Sequence, residues 1–197
     1  MVSGAKIEGG SYSSKAAANN DYGCLINVHT YSVSAILLYM DIISVLTAKP
    51  VLIGVHLGAA IIGIDAFMWL LGKLTDKSSL RSDRLYPAIV GTGAFVFSWL
   101  VGGYYYVKYY GLVVKPVIKA GVAPWAHIIV MESKEHIFLF IIPLAVTIVL
   151  LAILNPTELK KHQLDSGLLT LTVLVVGIGF LIGAFGFIIS AAARWGA

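Results

Sequence analysis

Five long stretches of this sequence, at about 25–47, 51–71, 86–106, 135–154 and 168–191, contain almost no charge. Each is close to the roughly 20 residues that an α-helix needs to cross a hydrocarbon core about 30 Å thick. The expectation is therefore an all-α integral membrane bundle of about five transmembrane helices. Composition agrees. With 58% hydrophobic and 12% charged residues, a chain of 197 residues has too little polar surface to coat a soluble globule. The formal charge of +4 sits between the apolar runs. It reads as an orientation signal and as attraction to lipid headgroups, which sets nucleic acid aside as a partner. The lone Cys24 has no CxxC partner and can form no internal disulfide, so it defines neither a redox compartment nor a thiolate metal site.

Residues 1–24 are rich in Gly, Ser, Ala and Asn and read as a flexible tail, with the transmembrane domain covering 25–197. The first span stops at Lys49-Pro50, so a tight turn joins it to the second as a helical hairpin. The charged segment Lys73 to Arg84 precedes the third span, whose exit carries the tyrosines 104–106, 109 and 110 as an interfacial aromatic belt. Val107 to Ser133 reads as the longest connection. Within it Pro124 is placed to open a fourth helix that projects beyond the bilayer. Asn155-Pro156 ends that helix, and the last span precedes Arg194.

Five spans put the termini on opposite sides. The face holding the amino terminus then carries eight lysines and arginines and the other face six, a bias concentrated in Lys73 to Arg84. That places the amino terminus in the cytoplasm. Gly179 and Gly183, Gly54 and Gly58, and Gly91, Gly93, Gly102 and Gly103 permit close helix approach, with packing as their expected role.

Ionisable residues inside a bilayer are costly unless they face a partner. Counting about 1.5 Å per residue from the first turn puts Asp41 and His56 at one level, about 9 and 8 Å below the outer boundary. The fourth helix brings Glu132, Glu135 and His136 near that level. Their three- and four-residue spacing keeps them within about 100° of arc. His127 lies nine residues before His136, about 180° around a straight helix, and is excluded from the same site. Asp65 is about opposite His56 and needs another partner. His29 and His162 fall on the other face.

Two chemistries suit the layer. His56 and His136 could hold a haem iron from both sides. Alternatively Asp41, His56, Glu132, Glu135 and His136 could bind a transition metal such as iron, copper or zinc. The plainer alternative pairs Asp41 with His56 and leaves Glu132, Lys134 and Glu135 solvated. The segments Val55 to Ala60, continuing through Asp65 to Phe67, and Ala126 to His136 resemble small multi-span families that include b-type cytochromes and copper-resistance D-like proteins. That resemblance covers about two spans and implies a haem or copper role. The chain departs from a dihaem pattern, which needs two histidine pairs at two depths.

No phosphate-binding loop, HExxH or GxSxG motif occurs, so at most an electron-transfer component of an oxidoreductase is expected. The leading expectation is a membrane protein that binds haem b or a metal ion and takes part in electron transfer, with other membrane subunits or copies of itself as partners. The alternatives are a structural or assembly subunit of a membrane complex and a small proton- or ion-coupled transporter.

Overall fold

The structure is a computed structural model, and it describes residues 36, 38–76 and 78–195. The expected tail and most of the first span, with Cys24 and His29, lie outside the described residues. The chain divides into two compact units between Ala48 and Lys49. In the first unit, α1 covers 38–46, and Thr47 and Ala48 end it in a turn and a bend. Thr47 closes this helix by donating its hydroxyl to the Ile43 carbonyl at 2.8 Å.

The second unit is all-α among its described residues. Four helical stretches in it are long and apolar enough to cross a membrane: Lys49–Thr75, Arg81–Ala120, Ala126–Ala152 and Asp165–Trp195. The first of these is α2, with Pro50 in its opening turn, where a missing N–H costs nothing. The second comprises α3 (Arg81–Tyr105), a π-helical segment π1 (Tyr106–Val114) and α4 (Lys115–Ala120). A second π-helical segment, π2 (Ala126–Met131), leads into α5 (Glu132–Ala152), followed by the short α6 (Pro156–Lys161) and by α7 (Asp165–Trp195).

These helices are apolar on their outer faces as well as inside. Ile61 and Met68 on α2, Phe97 and Leu100 on α3, Phe140 on α5 and Phe187 on α7 are all exposed. A helix apolar all round belongs in hydrocarbon, and the chain is a multi-pass membrane protein in contact with lipid.

The long connection expected at 107–133 is instead helical apart from residues 121–124. The reason lies in its composition, because Tyr106 to Ala120 contains one proline and no run of turn formers. Pro116 is accommodated at the start of α4, where the π register reverts to α. The expected start of the fourth helix at Pro124 is close to the observed one, with Pro124 in a turn and π2 beginning at Ala126.

In cross-section α2 packs against α3 and α7, and α5 against α3 and α7. The α2–α3 contact is an interlock of glycine and phenylalanine. Phe67 and Phe95 stack at 5.5 Å between centroids with planes 19° apart. A Cβ on Gly63 would lie 2.6 Å from the Phe95 ring, and one on Gly91 would lie 2.7 Å from Phe67. Gly179 of α7 meets Ile64 in the same way, at 2.8 Å. The Thr92 hydroxyl, besides bonding within α3, lies 3.3 Å from the Ala145 carbonyl of α5. Gly54, Gly58, Gly93 and Gly183 have open space around them. Only some of the glycines expected to pack are therefore required at helix crossings.

The bundle has two polar ends. One, the loop end, holds residues 76 and 78–80, α6 and the start of α7. The other, the π end, holds π1, α4 and π2, packed on Ile189 and Ala192 of α7.

Neither stacked phenylalanine ring can swing clear of a new methyl group. Gly63→Ala and Gly91→Ala are therefore expected each to destabilise the bundle by about 1–3 kcal/mol, as overpacked cores do. Gly93→Ala, at an open position, should change stability little, and thermal unfolding in detergent checks the contrast.

Candidate functional site

Polar side chains gather at the π end and run from it into the bundle. The outermost group joins π1 to π2. Tyr110 and His127 are 2% and 3% exposed, and the Tyr110 hydroxyl lies 3.1 Å from His127 Nδ1. On the other side of the ring, His127 Nε2 is 4.0 Å from Glu132 Oε1. That is too long for a direct hydrogen bond, but the half-exposed Glu132 side chain has room to close it. The π register makes this approach feasible. Residues five apart are about 140° apart on an α-helix, whereas a π turn closes its hydrogen bonds between just such residues.

Tyr106 stacks on Tyr110 at 5.1 Å between centroids and faces the Glu135 carboxylate. Glu135 Oε1 is nonetheless enclosed without a hydrogen-bond partner. A carboxylate oxygen enclosed in this way is poorly solvated. Next to it Lys134 points into the bundle, with Nζ 3.6 Å from where a Cβ on Gly186 of α7 would stand. Among the described residues it forms no ion pair, since the two that exist are His127 with Glu132 and His162 with Glu158.

Deeper in the bundle, His56 of α2 is clasped by Ser98 of α3. His56 Nδ1 lies 2.8 Å from the Ser98 carbonyl oxygen and 2.9 Å from Ser98 Oγ, while Ser98 Oγ donates to the His56 carbonyl at 3.0 Å. A carbonyl can only accept, so Nδ1 carries a proton and the neutral ring keeps its lone pair on Nε2. Gly102 makes this possible, because a Cβ there would stand 2.7 Å from Nδ1.

The five residues singled out in the sequence meet different fates. His56 and Glu135 turn inward. Glu132 and His136 are exposed, and the His136 ring lies against its own helix, with Nδ1 2.6 Å from the Glu132 carbonyl. The Glu132, Glu135 and His136 arc thus straddles the rim of α5, with Glu135 inward and Glu132 and His136 outward, and Lys134, about 100° beyond Glu135 around the helix, turns inward as well. Asp41 lies on α1 of the first unit and is exposed there. Asp65 is exposed on α2. Among the described residues no three His, Cys, Asp or Glu side chains converge as a metal cluster.

Sequence reasoning missed Tyr110, Ser98, Gly102 and Lys134 and set His127 aside. The five-residue step from His127 to Glu132 was the available signal, and α-helical arithmetic hid it. Comparisons with protein-family models, with curated proteins and with solved structures find no match.

Replacing Tyr110 by Phe leaves a buried imidazole nitrogen unmatched, and His127→Phe strands the hydroxyl. Each is expected to cost about 1–3 kcal/mol. The double variant should cost clearly less than the two together, and chemical unfolding of the four proteins measures the coupling.

Proposed function

We propose that this chain is a membrane subunit or small carrier that transfers protons through the π end of its bundle. The observation that carries the reading is the sequence of groups Tyr110, His127, Glu132, Tyr106 and Glu135, in which donors and acceptors lie beside one another inside apolar helices. Buried ionisable groups of a membrane bundle face a pathway or one another because lipid rejects them. In this reading Glu132, half exposed, exchanges protons with water. His127 passes them between its two nitrogens, Glu135 holds one as a neutral acid, and Lys134 and His56 mark the inner end of the path. The concentration of Lys73, Arg81 and Arg84 favours placing the loop end on the cytoplasmic side.

A second reading, haem-linked electron transfer, is favoured by one observation. Metal-binding histidines commonly donate one ring N–H to a backbone carbonyl and bind through the other nitrogen, and His56 on Ser98 has that arrangement. The residues fit a single axial ligand. His136, turned onto its own helix, would have to rotate to supply a second, and no three of His56, Glu132, Glu135 and His136 converge as a metal cluster. A haem held by His56 would supply one-electron chemistry, while the protein's part would be to orient and bury it.

Purified protein in vesicles with a trapped pH dye, driven by a potassium diffusion potential, tests the first reading. Proton entry should exceed that of empty vesicles and fall to that level in Glu135→Gln and His127→Phe, while Asp83→Asn keeps it. A parent rate equal to that of empty vesicles overturns the proposal. An absorption spectrum of the same preparation separates the second reading, which requires a Soret band that His56→Ala abolishes.

A further inference from the structure

The loop end holds a charge that the proton path does not use. Arg84, in the first turns of α3, is only 6% exposed. Its Nε and Nη2 are enclosed and have no hydrogen-bond partner, which leaves Nη1 as the nitrogen that is not sealed in. A buried guanidinium normally has a carboxylate or several carbonyls around it, because its charge cannot be discharged by losing a proton.

Three acids of the loop end are engaged elsewhere, and the fourth, Asp165, is exposed and forms no ion pair among the described residues. Asp76 accepts from the Ser78 hydroxyl at 2.7 Å and from its amide at 2.9 Å, and these bonds hold its carboxyl below the usual range. Asp83 accepts the Leu80 amide at 3.2 Å, and Glu158 pairs with His162 at 3.5 Å. Leu80, at the N-cap, has no side-chain oxygen to offer the first amides of α3.

The level of Arg84 in the bilayer is marked by two aromatic rings. Trp69 of α2 and Tyr86, two residues beyond Arg84, are 50% and 62% exposed and meet edge to face at 5.7 Å. Exposed Trp and Tyr on a membrane helix sit at the headgroup boundary. Arg84 is thus about 3 Å along the helix from that boundary, on the loop side.

We propose that Arg84, in the first turns of α3, binds a phosphate oxyanion. The group sits at headgroup level, so the phosphate of an anionic phospholipid is the expected source, with free phosphate as the other. Oxygens of the phosphate meet Nη1 from the open side, and its negative charge compensates the guanidinium whose other nitrogens are enclosed. Arg81 and Lys73, exposed and half-buried nearby in sequence, add longer-range attraction.

The full chain in nanodiscs of phosphatidylcholine alone, and of phosphatidylcholine mixed with phosphatidylglycerol, tests this by thermal unfolding. A third arm adds inorganic phosphate to the phosphatidylcholine discs, with sodium chloride matched for ionic strength. The parent should melt higher with phosphatidylglycerol, Arg84→Gln should lose that rise, and Lys160→Gln should keep it. A rise with inorganic phosphate alone would support the site with a soluble source. No rise in either arm, or an equal rise in Arg84→Gln, overturns the proposal. Should Arg84→Gln fail to fold, native mass spectrometry of the parent and of Arg84→Lys decides. Retention of phosphatidylglycerol by the parent and its loss from Arg84→Lys supports the site, and equal retention overturns it.

Discussion

The mutual insertion of phenylalanine and glycine between α2 and α3 sets the register on which the rest of the second unit depends. Lipid gives no hydrophobic reward for bringing two helices together, so close packing must supply the attraction. Gly63 receives Phe95 and Gly91 receives Phe67. Moving four residues forward along α2 is thus matched by four residues back along α3, as an antiparallel pair requires. Seven residues in the other direction, the same register carries Gly63 to His56 and Phe95 to Gly102. That is the position at which a missing side chain lets the imidazole reach the Ser98 carbonyl. A contact between apolar groups near the middle of the helices therefore determines the tautomer of a histidine two turns away.

The class of fold was legible because bilayer thickness writes itself into the sequence as run length. The breaks were legible for a similar reason. Lys49-Pro50, Pro124 and Asn155-Pro156 each stand at a helix start in the structure, where proline's missing N–H and fixed φ are tolerated. The stretch from Tyr106 to Ala120 was not legible as helix. Its aromatic belt and Pro116 suggested a loop, whereas the chain keeps its hydrogen bonds in the wider π register and restores the α register at the proline.

The site was legible in part, and the failure has a single geometric origin. Treating 124–136 as one straight α-helix puts His127 and His136 about 180° apart and groups Glu132, Glu135 and His136. The angle between the histidines was useful, since one is buried and the other exposed. What it concealed was which member faces inward. On α5 Lys134 turns inward as Glu135 does, its long chain reaching toward Gly186. Charge alone made Lys134 look like a solvated residue. The glycine that accommodates it lies more than fifty residues away on another helix, so no local pattern in the sequence reveals the pairing.

The two polar ends illustrate opposite ways of holding charge near lipid. At the π end, Tyr110 and His127 satisfy each other while both are almost fully buried, so neither needs a formal charge to be stable there. At the loop end, Arg84 has no such freedom. A guanidinium stays charged under all ordinary conditions, and its enclosed Nε and Nη2 have no partner in the protein. The two proposals follow this division, since a group that can titrate is suited to moving protons and one that cannot is suited to holding a permanent anion. The chemistry of the two ends therefore divides along the same line as their side chains.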